Sequence, residues 1–173
     1  IFITKEYNAP LPEGDFKICS VSADIMKKIC QTVTPQSIAA VVKIIPAKPC
    51  EDIDCAILLD GIKDPSNMGA IIRTAAACGI ENIFLHRCCD AYNPKSVRAT
   101  MGGINFVRLY DCGGDIIELL KQKGLFIISA DMDGENLYQF KLPQKKFALI
   151  IGGEAEGISD GFLSNSDIVL RLP

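Results

Sequence analysis

Short runs of apolar residues alternate along the chain with segments in which apolar positions recur every three or four residues. The runs predict six strands, at Ala56–Leu59, Asn82–Leu85, Asn105–Leu109, Leu125–Ala130, Phe147–Ile151 and Ile168–Leu172. The periodic segments predict four helices, at Asn67–Cys78, Pro94–Met101, Asp115–Lys123 and Ser159–Leu163. Because strands that are apolar on both faces are typical of parallel sheets, we expect an α/β fold with a mostly parallel sheet and helices on both faces.

The first 50 residues have a different pattern. They predict a short helix at Ser22–Cys30 and a strand at Ala39–Ile44. Prolines and polar residues then interrupt both periodicities over Pro46–Asp52, as in a linker. We therefore expect residues 1–50 to be the tail of a separate N-terminal module with its linker, and residues 51–173 to form the main domain.

The composition indicates a globular protein. Of the 173 residues, 49% are apolar, and no apolar run approaches the roughly 18–20 residues that a membrane helix needs. The chain begins with Ile1 rather than Met, so we expect the N-terminus of the gene product to lie outside it. Since the net charge is −3, any binding of nucleic acid must rest on a local cluster of basic groups or on another part of the protein.

Eight cysteines and one histidine limit the metal chemistry that can be expected. The cysteines are Cys19, Cys30, Cys50, Cys55, Cys78, Cys88, Cys89 and Cys112. None forms a Cys-x-x-Cys pair and the one histidine is His86, so no metal site is expected. A thiol in an apolar segment, such as Cys78, behaves as a small hydrophobe, and we expect reduced cysteines in a cytoplasmic protein. His86 follows a buried strand and is expected to be a packed or surface histidine rather than a catalyst.

The segment between the first long strand and the next helix carries the first candidate site. The strand leads into Asp60, and Ser66 or Asn67 is placed to cap the helix. The residues three or four positions from Arg73 on one helix face are small: Gly69, Ala70, Ala76 and Ala77. Such a face leaves room for a ligand or a second chain to approach the guanidinium. A capped helix with an ordinary surface arginine is the alternative.

A glycine-rich segment follows the strand at Phe147–Ile151. Gly152–Gly157 contains three glycines and two carboxylates, and glycines permit positive φ and close contact between a ligand and the backbone. A tight turn with solvated acids is the alternative. The segment matches neither the dinucleotide-binding pattern nor the P-loop.

A third segment is basic. Lys95 and Arg98 share a helical face and Arg87 lies just upstream. With Lys63 they are the candidate contacts to the phosphates of a nucleic acid. A solvated basic face is the alternative.

Together these segments resemble the motifs of one family. Asp60-Gly-Ile-Lys-Asp-Pro-Ser-Asn-Met-Gly-Ala-Ile-Ile-Arg-Thr-Ala resembles the first motif of the SpoU (TrmH) family of RNA 2′-O-ribose methyltransferases, which are SPOUT proteins. Pro94–Gly102 resembles the segment between the motifs, and Ile151-Gly-Gly-Glu-Ala-Glu-Gly157 resembles the second motif. The stretch from Val21 to Val42 is similar to the connection from a ribosomal-protein-like RNA-binding module. The segments occur in the family's order and spacing, which makes the resemblance specific.

The resemblance implies an enzyme that transfers a methyl group from S-adenosylmethionine to a ribose 2′-hydroxyl of RNA, with ribosomal RNA favoured over transfer RNA. It also implies a homodimer with the pocket near the interface, and a trefoil knot at the C-terminal end of the sheet. The family's third motif follows an Ile-Pro or Leu-Pro dipeptide, and this chain stops at Leu172-Pro173. We therefore expect a domain truncated before the third motif, with an incomplete knot.

The same resemblance implies roles for particular residues. Arg73 is expected to stabilise the developing alkoxide and to grip a neighbouring phosphate, because a guanidinium with a pKa above about 12 is a poor base. The family pattern also gives the matching arginine a base-like role, so the identity of the base stays open. Asn67 is expected to position the ribose or hold the loop, and Glu154 to orient Arg73 or order the glycine segment. The expected contacts to adenosine are Ala130, Ile151, Gly152, Gly153 and Leu172.

Two other functions compete with methyl transfer. A catalytically inactive relative that binds RNA is favoured by the acidic net charge and the missing third motif. It is disfavoured because Asn67, Arg73 and Glu154 are all present. A general α/β nucleotide-binding enzyme is disfavoured because the chain lacks glycine patterns that bind phosphate.

Overall fold

The computed structural model describes residues 1–47, 52–141 and 146–173. The chain divides into two compact units, Ile1–Ile45 and Pro46–Pro173. Residues 48–51 of the predicted linker, Cys50 among them, lie outside the described residues. The assignment of the first unit to an RNA-binding module stays a prediction.

The first unit has one helix and a small three-stranded sheet. Its strands, in the order β2-β1-β3, are β1 (Phe2–Ile3), β2 (Cys19–Ser20) and β3 (Ile38–Ala39). Helix α1 (Ala23–Cys30) is capped by Ser22, which confirms the predicted helix. The strand predicted at Ala39–Ile44 is wrong, because β3 pairs with a strand of only two residues and extends no further.

The second unit is built on one six-stranded sheet in which every neighbouring pair is parallel. The strands are β4 (Cys55–Asp60), β5 (Asn82–His86), β6 (Arg108–Asp111), β7 (Phe126–Asn136), β8 (Phe147–Gly152) and β9 (Ile168–Arg171). Their order across the sheet is β6-β5-β4-β8-β7-β9. The predicted α/β class with a mostly parallel sheet is confirmed, and the knot stays a prediction.

Helices cover both faces of this sheet. They are α2 (Pro65–Ala77), α3 (Pro94–Ala99), α4 (Ile116–Gln122) and α5 (Asp160–Leu163). Successive residues of a strand point to opposite faces, so the fully buried Leu58 and Leu59 belong to different cores. Leu58 packs in the core that includes Phe162 of α5, and Leu59 in the core that includes Ile72 of α2. Of the helices described, none is both long enough and apolar enough to cross a lipid bilayer.

Strand β6 begins later than the predicted strand at Asn105–Leu109. Gly102 has a left-handed φ of 88°, and Gly103–Phe106 forms a turn of 3₁₀ helix. The backbone N–H and the side-chain amide of Asn105 both donate to the Gly102 carbonyl, at 3.2 Å. Because the Asn105 backbone N–H is hydrogen-bonded within this turn, it is not available to a neighbouring strand, and pairing with β5 starts only at Arg108.

Strand β7 continues beyond Ala130, where the prediction ended it. It pairs with Leu170 of β9 at Ala130 and again at Glu135, with a register shift in between. Gly134 lies so close to β9 that an added Cβ would be 2.7 Å from the Leu170 backbone. The two acidic residues before Gly134, Asp131 and Asp133, therefore lie within a long, irregular strand and not beyond its end.

Candidate active site

The loops that follow β4 and β8 leave the sheet in opposite directions. These neighbouring strands pair in register from Cys55 with Phe147 to Asp60 with Gly152. From there β4 leads to β5 on one side, and β8 leads to β9 on the other. Open α/β sheets bind ligands outside the carboxyl ends of the strands at such a switch point. The first two segments that carry candidate chemistry thus meet where a ligand is expected.

A hydrogen bond joins these two segments. The Asn67 side-chain amide donates through Nδ2 to Glu154 Oε1 at 2.6 Å, across 87 residues of sequence. Asn67 lies half-buried in the first turn of α2, and Glu154 lies exposed in the glycine segment. Two of the three residues predicted to be catalytic are therefore in contact.

Helix α2 is capped by Asp64, and the predicted cap at Ser66 or Asn67 is wrong. Asp64 Oδ1 accepts a hydrogen bond from the Ser66 backbone N–H at 2.9 Å, and Pro65 takes the first helical position. The bond from Ser66 and a second one from Lys95 lower the pKa of the Asp64 carboxyl. Because Asp64 satisfies the helix end, the Asn67 side chain is left to bind Glu154.

Arg73, the third residue predicted to be catalytic, lies exposed on α2. Within the part of the chain that the structure describes, Glu154 pairs with Asn67 and makes no hydrogen bond or ion pair with Arg73. An orienting contact from Glu154 to Arg73 is therefore absent from these residues.

Two of the small residues around Arg73, Gly69 and Ala76, pack against other parts of the chain. A Cβ added to Gly69 would lie 2.5 Å from the Cβ of Ala99 in α3. A Cβ added to Gly103 would lie 3.1 Å from the Arg73 Cα. Helix α3 and the following turn therefore occupy part of the space that we predicted to be open to a ligand or a second chain.

The glycine loop, which we define as Gly153–Ser159, folds back on itself. Gly153 accepts a hydrogen bond from the Gly157 backbone N–H at 2.9 Å. Gly157 has a left-handed φ of 67°. Side chains at Gly152 and Gly153 would collide with other backbone: an added Cβ would lie 2.5 Å from Gly157 O and 2.6 Å from Gly61 O, respectively. These two glycines thus allow the backbone of the loop to pack on itself and on the loop after β4.

Asp60 is the functional candidate that the sequence did not single out. Its side chain is 4% exposed, with Oδ1 2.8 Å from His86 Nδ1 and Oδ2 accepting from the Ser159 backbone N–H at 2.7 Å. Burial acts to raise the pKa of the Asp60 carboxyl, but the hydrogen bonds from Ser159 and His86 lower it overall. A carboxylate at the end of an apolar strand, beside a histidine at the end of the next, is a pattern that could have revealed the pair.

His86 is packed, as predicted. Its ring lies against Phe162, with the ring centroids 4.9 Å apart. The pairing of β4 with β5 sets Asp60 opposite His86, so the contact follows from the strand register. Cys78, which lies in an apolar segment of the sequence, is exposed at the end of α2.

A cavity of about 300 Å³ lies at this edge of the sheet. It is lined by Asp60, Gly61, Arg87, Glu156, Gly157, Ile158, Ser159 and Asp160. The exposed Arg87 and Glu156 side chains form a loose ion pair at 3.8 Å. Within the described ranges, no three His, Cys, Asp or Glu side chains gather as metal ligands would.

The four residues predicted to contact RNA are all exposed. The Lys63 ammonium group donates to the Arg87 backbone carbonyl, which ties together the loops after β4 and β5. Lys95 pairs with the cap residue Asp64 at 3.2 Å. Arg98 lies in the last turn of α3, the helix that also carries Lys95.

Of the residues predicted to contact adenosine, one lies within β7, two end β8, and two lie just beyond β8 and β9. They are Ala130, Ile151, Gly152, Gly153 and Leu172. Ala130 pairs with Ile151 on one side and with Leu170 on the other, so it lies centrally in this group. Leu172 is 73% exposed and Met132 is 89% exposed. The edge therefore presents apolar side chains to solvent.

Comparison with known proteins places this geometry in context. Residues 54–173 match the profile of the SpoU rRNA Methylase family. The chain is 31% identical over 156 residues to the 23S rRNA (guanosine(2553)-2′-O)-methyltransferase RlmP of Bacillus subtilis. This match covers 88% of this chain and 62% of that protein. The chain spans between half and two thirds of the length of the curated relatives it matches.

Two solved structures share the fold. A TrmH-family protein of Porphyromonas gingivalis superposes with a TM-score of 0.76 and 26% identity, over 99% of this chain and 71% of that one. The SpoU methyltransferase AviRb of Streptomyces viridochromogenes, in complex with the cofactor AdoMet, superposes with a TM-score of 0.78 and 21% identity. That match covers 91% of this chain and 65% of AviRb.

Proposed function

The chain belongs to the SpoU rRNA Methylase family, and from this membership we propose that it transfers a methyl group to a ribose 2′-hydroxyl of ribosomal RNA. The observation that carries the proposal is the 2.6 Å contact between Asn67 and Glu154. It joins the two family motifs at the switch point of the sheet, and a chain that had lost catalysis would have no need to keep it. The name of the Bacillus subtilis relative, a 23S rRNA 2′-O-methyltransferase, supports the same reaction.

S-adenosylmethionine is the methyl donor in this proposal, and when bound it supplies an electrophilic methyl group on a sulfonium. The residues present fit the adenosine part of this molecule. Exposed Leu172 and Met132 offer apolar contact to a purine. Ala130 has a side chain small enough for close approach of a ligand to the backbone. AviRb, which shares this fold, has been solved with AdoMet.

Arg73 stabilises the negative charge that develops on the ribose oxygen and holds a neighbouring phosphate. Its side chain is exposed on α2 and therefore accessible to RNA. A guanidinium stays protonated at neutral pH, so it can donate hydrogen bonds to both oxygens but is poorly suited to remove a proton. A preorganised donor of this kind typically contributes about 10²–10³-fold to a rate.

Asn67 and Glu154 act as a pair in the same proposal. The contact uses Nδ2 of Asn67 and Oε1 of Glu154. Oδ1 of Asn67 can accept a hydrogen bond from a ribose hydroxyl, and Oε2 of Glu154 can accept another. The pair would thereby orient the hydroxyl for an in-line attack in which the oxygen–methyl bond forms as the methyl–sulfur bond breaks. The thioether would leave, and the hydroxyl proton would pass to the carboxylate or to water. Such alignment contributes several kcal/mol.

The partners follow from the same reasoning. We place the enzyme in the cytoplasm, with ribosomal RNA bound along Lys63, Arg87, Lys95 and Arg98. A homodimer would bring a second chain to the exposed face of α2 that carries Arg73. A catalytically inactive RNA-binding protein is the competing function.

The test is methyl transfer from labelled S-adenosylmethionine to ribosomal RNA that lacks this enzyme's modification. We expect Arg73→Ala to reduce transfer by about 10²-fold or more while donor affinity stays within about twofold. Arg108→Ala is the matched control, since Arg108 is also exposed but lies at the start of β6, at the opposite edge of the sheet, where it pairs with Glu81. Unchanged transfer by Arg73→Ala would remove its catalytic role. If the wild-type protein binds RNA but neither binds the donor nor transfers the methyl label, the inactive alternative is established.

A further inference from the structure

Asp60 holds both ends of the glycine loop. Its backbone carbonyl accepts a hydrogen bond from the Gly153 N–H at 2.9 Å, where the loop begins. Its side-chain Oδ2 accepts from the Ser159 N–H at 2.7 Å, where the loop ends. Glu154 lies between these two anchors and contacts Asn67. One residue of β4 therefore closes the loop that carries a proposed catalytic group.

We propose that Asp60 is a positioning residue that closes the glycine loop and thereby sets Glu154 against Asn67. The link from this position to methyl transfer rests on the proposed function. The link from Asp60 to the loop rests on the hydrogen bonds alone.

The geometry rules out a direct chemical role for the Asp60 carboxylate. The side chain is 4% exposed, and each oxygen already has a donor, His86 Nδ1 at 2.8 Å and the Ser159 N–H at 2.7 Å. An ionised carboxylate only accepts hydrogen bonds, so the proton of this pair lies on His86 Nδ1. His86 in turn packs against Phe162, which holds the ring and hence the carboxylate in one orientation. Asp60 can therefore act on the reaction only through the loop.

Of the loop's own side chains, Ile158 is buried in the core with Phe162, near the end of the loop, while Glu154 and Glu156 are exposed. The loop begins and turns at glycines, Gly153 and Gly157, which lose more conformational entropy on ordering than other residues. Within it, one backbone hydrogen bond joins the Gly157 N–H to the Gly153 carbonyl. Asn67, on the other side of the contact, sits on a helix that Asp64 caps and Pro65 begins. Asp60 thus fixes the two ends of the segment that carries Glu154.

The first measurement is amide hydrogen exchange in the full chain, which requires no catalytic activity. Asp60→Ala removes the bond to Ser159, so we expect exchange at Gly157 and Ser159 to accelerate by more than about tenfold. Asp60→Asn keeps an oxygen that accepts from Ser159, and its amide can donate to the other tautomer of His86. We expect exchange in Asp60→Asn to stay within about threefold of wild type.

Asp167→Ala is the matched control. Its Oδ2 accepts a hydrogen bond from the Ile127 backbone N–H at 2.7 Å, the same kind of contact, before the start of β9. Its loss should leave exchange in the glycine loop unchanged.

Ser159→Pro tests the same bond from the other side and does not alter Asp60. Ser159 has φ −62°, which proline adopts, and proline lacks the N–H that binds Asp60. If Asp60→Ala does not fold, Ser159→Pro gives the decisive result, with faster exchange at Gly157 expected.

The second measurement is a double-mutant cycle on methyl transfer with Glu154→Ala. If Asp60 acts through Glu154, Asp60→Ala lowers kcat in the wild-type background but causes no further loss in the Glu154→Ala background. A structural role alone would lower transfer by the same factor in both backgrounds.

The outcomes separate the two proposals. Unchanged loop exchange in Asp60→Ala and Ser159→Pro, or equal losses of transfer in both backgrounds, would overturn the positioning role and leave methyl transfer standing. If loop exchange is faster in Asp60→Ala but the wild-type protein transfers no methyl group, the proposed function is overturned. Asp60 then remains the residue that closes the loop.

Discussion

The polar residues of the site divide into those that the fold satisfies and those that it presents to solvent. Asp60 is buried with both carboxylate oxygens hydrogen-bonded. Arg73 and Glu154 are exposed. Buried polar groups are costly unless paired, so a satisfied carboxylate such as Asp60 has a structural function, whereas the exposed groups are available to a substrate.

The contribution of Asp60 to stability should depend on pH. The pKa of its carboxyl is lower in the folded protein than its usual value. Its stabilising effect is therefore complete above the unfolded pKa of about 4 and is lost as the pH falls through the folded-state pKa. We expect the difference in free energy of unfolding between wild type and Asp60→Asn to be largest near neutral pH and to shrink below about pH 4. Urea unfolding at a series of pH values measures it, and a difference that stays constant down to pH 2 would contradict the expectation.

Among the elements, the packing of α2 against α3 positions the first motif. Gly69 allows the two helices to approach, because a Cβ there would lie 2.5 Å from the Cβ of Ala99. Lys95 of α3 also pairs with Asp64, the cap of α2. Gly69, which we predicted to leave space for a ligand, therefore sets the position of the helix that carries Asn67.

Replacement of Gly69 by alanine should destabilise the protein. The added methyl group forces α2 and α3 apart, and overpacking of this kind costs about 1–3 kcal/mol. Gly161→Ala is the control: Gly161 also lies in a helix, but an added Cβ would have no atom within 4 Å. We expect that change to be neutral or to stabilise by up to about 1 kcal/mol. Thermal or urea unfolding compares the two variants, and equal effects would argue against the packing role of Gly69.

For the whole molecule, charge is the feature that most constrains RNA binding. The net charge of −3 provides no general attraction for phosphate. The candidate contacts are therefore local, and several of them already have partners, such as Lys95 with Asp64 and Arg87 with Glu156. RNA must compete with these exposed pairs, which are individually weak.

The salt dependence of RNA binding tests this local surface. If Lys95 and Arg98 each contact a phosphate, replacing either with alanine should reduce the slope of log affinity against log salt by about 0.7–1. Lys146→Ala is the control, because Lys146 pairs with Asp54 just before the start of β8. Filter binding of a ribosomal RNA fragment at several salt concentrations measures the slopes, and an equal slope in all variants would exclude these two contacts.

Much of the fold was predictable from local patterns. The strand predicted at Ala56–Leu59 is observed at Cys55–Asp60, and the helix predicted at Asn67–Cys78 is observed at Pro65–Ala77. A strand buried on both faces needs apolar residues throughout, and a helix against a sheet needs them at every third or fourth position. Because short segments are enough to meet these requirements, local sequence patterns specify the α/β class, the main elements and the two motifs.

Tertiary contacts determine which polar groups that are distant in sequence lie together. The cap at Asp64, the continuation of β7 to Asn136 and the contact between Asn67 and Glu154 depend on partners that local patterns do not contain. Asp60 is the clearest case, because its partners, 26 and 99 residues away, are set by the register of β4 with β5 and by the return of the chain after β8. Sequence periodicity specifies which residues are buried, but the pairing of strands specifies what each buried polar group binds.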